Sequence, residues 1–185
     1  MDATVSKQVK RFKLPTELRN KGLRPMVKKD VGKVHKLLLD HFENIKSRLY
    51  TVYTHEEVAH LFLPIEGVVD TYVLEDPEDP KKITDMLSFY HLPSSVLKNP
   101  KHDKLNAAYS FYTVATKVEL ASLVKDGLIL AKRCGCDVFN ALNIMKNEEV
   151  FQELKFGMGD GNLHYYLYNW QLPALEPSDV GIVLV

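Results

Sequence analysis

The sequence predicts an α/β fold, a single domain whose mixed central sheet carries helices on both faces. Three observations lead there. Stretches with helical spacing fall between stretches with strand spacing, the order that layers helices onto a sheet. One segment, NLHYYLYNW at 162–170, is apolar on both alternating faces, as a strand covered from both sides would be. And 185 residues suffice for one sizeable core while being short for two ordinary domains.

Residues 1–21 are polar and interrupted by Pro15, and are read as a tail or linker ahead of a domain over 22–185. Lys7, Lys10, Arg11 and Lys13 form its positive cluster, read as a solvated face, with a phosphate or membrane contact as the alternative. GLRPM at 22–26 predicts a short strand. Asp30 is a candidate N-cap for a helix carrying Val31, Val34, Leu38 and Phe42 on one stripe. In YTHEEVAHLF, Thr54 and Glu57 have capping-box spacing, and Tyr53 with Val58 that of a hydrophobic staple. Strands are expected over 68–75, 84–92 and 105–116, the first two joined by the proline-marked turn DPEDPKK. A helix then follows with Leu120, Leu123, Val124, Leu128, Ala131 and Cys134 along one face. CDVFNA predicts a short strand, NEEVFQELK a short helix capped by Asn147, and 162–170 and VGIVLV at 180–185 the final two strands.

Composition narrows the function. Lys+Arg and Asp+Glu are both 24, so the formal net charge is zero, which argues against a broad nucleic-acid footprint. No apolar run reaches the roughly 18 residues of a membrane helix, and MDATVSKQVKRF lacks the apolar core of a secretory signal. Cys134 and Cys136, in CGC, sit too close for an easy disulfide and are too few for a zinc site. A reduced, cytoplasmic protein is expected.

Metal and nucleophile motifs are wanting. HEEVAH places His55 and His60 five residues apart, about 140° around a helix, where a zinc pair needs one face. No G-x-S-x-G is present, and neither cysteine has a base nearby in sequence. GMGDG within KFGMGDG has the look of a dinucleotide loop, but that loop must open a helix, and here a strand is predicted to follow. Two readings stay open for its glycines: a tight bend, or a bend that also admits a ligand's backbone, with Asp160 at its tip.

The element order resembles that of the GNAT acyltransferase fold. Acyl-CoA binding there uses an R/Q-x-x-G-x-G/A loop between the fourth strand and the third helix. This chain has YTVATKVELASLV at that place, with no glycine before Gly127. It resembles a GNAT domain that cannot hold CoA in the usual way.

KFGMGDG, with GLRPM, TDMLSFYHLPSS, AAYSFY, DVFNAL and NLHYYLYNW, closely resembles the C-terminal half of the eukaryotic N-myristoyltransferases, over about residues 10–185. That resemblance implies two fused GNAT-like halves, the first binding myristoyl-CoA and the second building much of a peptide groove. The first half's signature, E-[IV]-N-F-L-C-x-H-K, is missing here, so the chain is read as the second half alone. Myristoyl-CoA is then a co-substrate of the complete enzyme, with no cofactor and no metal held by this half. The implied partners are the acyl-CoA-binding half and proteins beginning with glycine, in the cytosol with peripheral membrane contact.

The resemblance further implies that the terminal α-carboxylate, here Val185, takes a proton from the substrate glycine. Free values near 3.5 for an α-carboxyl and 7.7–8.0 for an α-amine leave roughly 5–6 kcal/mol for burial to offset. Peptide contacts are implied at Tyr90, Ser94, Leu105, Asp160, Gly161 and Leu163. This chain alone is expected to be inactive or weakly active. A non-catalytic glycine-peptide-binding module is the alternative, and an independent GNAT acetyltransferase a further one that the absent pyrophosphate loop opposes.

Overall fold

The computed structural model describes residues 3–159 and 161–184, so two of the expected site residues, Asp160 and Val185, lie outside the described residues. In chain order the elements are α1 (Ala3–Arg11), β1 (Arg24–Pro25), a 3-10 turn (Lys28–Asp30), α2 (Val31–Asn44), β2 (Leu49–Tyr50), α3 (His55–Phe62) and β3 (Val69–Glu75). Next come β4 (Ile83–His91), β5 (Ser94–Ser95), β6 (Lys104–Leu105), β7 (Ala107–Val114) and α4 (Leu120–Arg133). β8 (Val138–Asn140), α5 (Glu148–Phe151), a second 3-10 turn (Pro177–Asp179) and β9 (Val180–Gly181) complete the order.

Five strands form the main sheet in the order β1-β3-β4-β7-β8. The β1–β3, β3–β4 and β4–β7 pairs are antiparallel, whereas β7 and β8 run parallel. A parallel pair requires a crossover, and α4 is that crossover. Because successive strand residues point to opposite faces, β4 serves two cores: Met86 packs with α2 and α3, while Leu87 and Phe89 pack with α4. The sheet is therefore mixed and covered by helices on both faces, as its sequence predicts.

Local signals match the structure where they are self-contained. Thr54 accepts from the Glu57 amide at 3.2 Å while Glu57 Oε2 accepts from the Thr54 amide at 2.7 Å, the reciprocal capping box. Tyr53 and Val58 are both buried in the core beneath it.

Several expectations are corrected. Asp30 does not cap α2 with its side chain; its buried carboxylate accepts Arg24 Nη1 at 2.7 Å and Nη2 at 3.0 Å, and the Val27 amide at 3.0 Å. Burial opposes its ionisation, but the Arg24 and Val27 bonds outweigh that and hold it below the usual carboxylate range. Asn147 likewise does not cap α5; its amide donates to the Leu142 carbonyl. The buried face of α4 runs through Leu123, Asp126, Gly127, Leu130 and Ala131, leaving Cys134 exposed. The face is rotated because Asp126 is drawn inward: its carboxylate accepts the Arg19 and Asn20 amides at 2.8 and 2.9 Å and the Asn20 side chain at 2.8 Å. The expected strand 105–116 divides at Asn106, whose amide and carbonyl both bond Asp137.

The largest correction falls on 162–170, which forms no strand. Tyr166, Tyr168 and Trp170 are 88, 92 and 70% exposed. An apolar pattern on both faces states a demand for cover on both, and among the described residues Tyr165 finds cover against the core while its neighbours stay exposed. VGIVLV is also less regular than expected: among its described residues only Val180 and Gly181 are paired, in parallel with Leu49 and Tyr50.

Candidate functional site

The last described residues thread the core. Gly181 passes so close to Phe42 that a Cβ there would lie 2.6 Å from Cε1 and 2.9 Å from Cδ1, so only glycine fits without displacing the ring. Beyond Gly181 no strand supplies hydrogen-bond partners, and buried backbone must find them elsewhere. Tyrosine hydroxyls provide them. Tyr112 donates to the Gly181 carbonyl at 3.0 Å and accepts from the Val183 amide at 3.3 Å. With its one proton so committed, Tyr112 must accept that of Tyr53, 3.1 Å away. Tyr165 donates to the Ile182 carbonyl at 2.7 Å, and Tyr90 to the Leu184 carbonyl at 3.4 Å.

The phenols of Tyr90, Tyr112 and Tyr165 stay protonated. Burial is the main cause raising all three above the usual phenol range, with Tyr53 adding at Tyr112, and Tyr109 and Tyr165 adding at Tyr90. Val180 and Val183 are buried, but Leu184 is 62% exposed. The strand thus delivers its end from the core to the surface beside Tyr90.

Of the other expected peptide contacts, Ser94 and Leu105 are brought opposite one another in the β5–β6 pair, both exposed. Tyr90 stacks on Tyr109 with ring centroids 5.4 Å apart. Gly161 and Leu163 instead line a broad cleft of about 1760 Å³ that Tyr90, Ser94 and Leu105 do not line. Tyr165 joins the two regions, lining the cleft with its ring while its hydroxyl bonds Ile182. A Cβ at Gly157, Gly159 or Gly161 would meet nothing among the described residues within 4 Å. Nothing local requires those glycines.

Sequence reasoning missed Tyr112, Tyr165 and Gly181. A signal existed for the first: a buried tyrosine needs a partner for its hydroxyl, and AAYSFYTV offers none within its own strand.

At the turn from β7 into α4, where the sequence has no glycine before Gly127, the backbone amides are taken up from within. The amides of Thr116, Lys117 and Val118 donate to Asp85 Oδ1 at 2.7, 2.9 and 3.2 Å. Among the described residues no group of three or more His, Cys, Asp or Glu side chains is arranged to hold a metal ion, and no helix is long and apolar enough to cross a membrane.

Residues 1–183 match the family described as Myristoyl-CoA:protein N-myristoyltransferase, C-terminal domain. The chain belongs to the N-myristoyltransferase family. It is similar to glycylpeptide N-tetradecanoyltransferase 2 of Bos taurus, 47% identical over 98% of this chain and 36% of that protein. The Plasmodium falciparum glycylpeptide N-tetradecanoyltransferase is also 47% identical, over 98% of this chain and 43% of that one. Among solved structures, Saccharomyces cerevisiae N-myristoyltransferase with bound myristoyl-CoA superposes with a TM-score of 0.86 at 31% identity, over 97% of this chain and 48% of the yeast chain. A Trypanosoma brucei acetyltransferase, 14% identical with a TM-score of 0.57, shares the fold. The chain therefore spans less than half the length of these N-myristoyltransferases.

Proposed function

We propose that this chain acts as the C-terminal half of a protein N-myristoyltransferase, which transfers myristoyl from myristoyl-CoA to the N-terminal glycine of cytosolic proteins. The observation that carries the mechanistic part is the set of tyrosine bonds that leads residues 181–184 to the surface at Leu184. The α-carboxylate of Val185, one residue on, then takes a proton from the glycine ammonium. The freed amine attacks the thioester carbonyl, and CoA leaves as its thiolate.

Tyr90, Ser94, Leu105, Asp160, Gly161 and Leu163 would line the path of the peptide. The acyl-CoA half and its oxyanion-stabilising donors lie in a preceding half, to which residues 1–21 lead. The closure of the β7–α4 turn by Asp85 supports that division, since an anion entering there would have to displace a carboxylate. It also favours, as a second reading, a peptide-binding module without turnover of its own.

The test is acyl transfer from myristoyl-CoA to a glycine-initiated peptide, with this chain alone and with the N-terminal half of the S. cerevisiae enzyme added. Turnover only on addition supports the proposal; turnover by the chain alone overturns the division of labour. Binding without turnover in either arm would establish the second reading. In the reconstituted enzyme, two glycines added after Val185 should lower kcat by about 100-fold or more, the usual scale of general-base assistance, with little change in KM. An unchanged kcat would remove the carboxylate from the mechanism.

A further inference from the structure

On the α4 side of the sheet, three elements converge on a second set of reactive groups. Asp70 comes from β3, His91 from the end of β4, and Cys136 from the turn after α4. His91 Nε2 lies 2.7 Å from Asp70 Oδ2, and Cys136 Sγ lies 3.6 Å from His91 Nδ1. The short bond to a carboxylate fixes the tautomer: Nε2 carries the hydrogen, and Nδ1 is left as an acceptor aimed at the thiol. Phe89 packs against the imidazole with ring centroids 5.6 Å apart, and the backbone amide of His91 is held by the Val68 carbonyl at 2.8 Å. A thiol, a base beside it and a third group orienting that base is the arrangement of an assisted nucleophile.

We propose that Cys136 is a base-assisted modification site that adds to small neutral electrophiles of the α,β-unsaturated carbonyl class. The Sγ–H bond breaks and its proton passes to His91 Nδ1 as the Sγ–carbon bond forms at the β-carbon. The imidazolium is stabilised by Asp70, and the proton then goes to the α-carbon of the enolate, so nothing is oxidised or reduced.

The surroundings select the reagent. Cys136 packs against an apolar cluster that includes Leu130 and Ala131, and it lines the broad cleft. Burial first, then the charges of Asp70 and Asp137, raises its thiol above the usual range, so the sulfur reacts as a thiol that sheds its proton during attack. The same two carboxylates repel anionic reagents. Cys134 is the built-in contrast. It is the more exposed thiol, yet its sulfur lies against Asp70 Oδ2, at 3.9 Å, and the Tyr72 phenol, and burial with the Asp70 charge pushes it up to about 11. A carboxylate is too weak a base to take its proton. Exposure and reactivity should therefore run in opposite order.

The experiment is alkylation of the folded chain with N-ethylmaleimide, following each cysteine separately by peptide mass spectrometry. Cys136 should react at least about tenfold faster than Cys134, a conservative floor for base assistance. His91→Gln, which keeps a donor for Asp70 but is no base, should bring Cys136 down to the rate of Cys134 while Cys134 itself does not change. Iodoacetate should discriminate against Cys136 relative to iodoacetamide. Faster labelling of Cys134, or a rate ratio unaffected by His91→Gln in a variant with native melting temperature, would overturn the proposal. Because Cys134 is the internal reference, a partly unfolded variant reveals itself by accelerating both.

Discussion

The β7–α4 turn and the strand over 180–184 face the same difficulty, backbone groups without ladder partners, and resolve it in opposite ways. At the turn, three amides converge on one buried carboxylate, that of Asp85, which is 1% exposed. Along the strand, neutral hydroxyls from Tyr90, Tyr112 and Tyr165 take the backbone groups one after another as far as Leu184, which is exposed. A charge gathers the turn's amides at one point; neutral hydroxyls serve the strand's groups one at a time. A carboxylate placed beside the strand would have repelled any carboxylate that follows it, whereas phenols steer the backbone without that penalty.

Four substitutions test this contrast, in decreasing order of expected effect. Asp85→Ala strips three part-buried amides of their shared acceptor and should cost about 2–4 kcal/mol in urea unfolding. A cost under about 1 kcal/mol would mean that water enters the turn, and that it is open after all. Gly181→Ala drives a methyl into Phe42 and should cost about 1–3 kcal/mol by overpacking. Tyr112→Phe leaves the Gly181 carbonyl and Val183 amide unpaired, for about 1–2 kcal/mol, with accelerated hydrogen exchange confined to 181–184 as its signature. Exchange spreading through the whole sheet would instead make Tyr112 a general core residue. Trp170→Ser should move the unfolding midpoint by less than about 0.5 kcal/mol equivalent, because the ring is 70% exposed. A larger loss would place that segment against the core in solution.

How much of this could be read beforehand depends on how local each signal is. The Thr54–Glu57 box lies within four residues and was legible. The mixed sheet was legible too, because stretches with helical spacing fall between stretches with strand spacing along the chain. The buried face of α4 was not, since it turns on Asp126, whose partners at 19 and 20 lie more than 100 residues away. The segment 162–170 was misread for a related reason: periodicity records how much cover a segment needs, and not whether the same chain provides it. Among the candidate site residues, Tyr90 is placed beside the strand end and Ser94 opposite Leu105. The four bonds around 181–184 were invisible because hydroxyl partners follow no spacing rule.

Those bonds also bear on how the molecule is made. Chains emerge from the ribosome N-terminus first, and domains begin folding as they appear. Residues 180–184 are synthesised after every tyrosine that serves them, and β9 closes onto β2 more than 100 residues earlier. Until then the hydroxyls of Tyr112 and Tyr165 have no carbonyl to meet, and the side of Phe42 that faces Gly181 lies bare. Sealing of the core thus waits on translation of residues 180–184, and a message interrupted before them would yield a product with that seam unclosed.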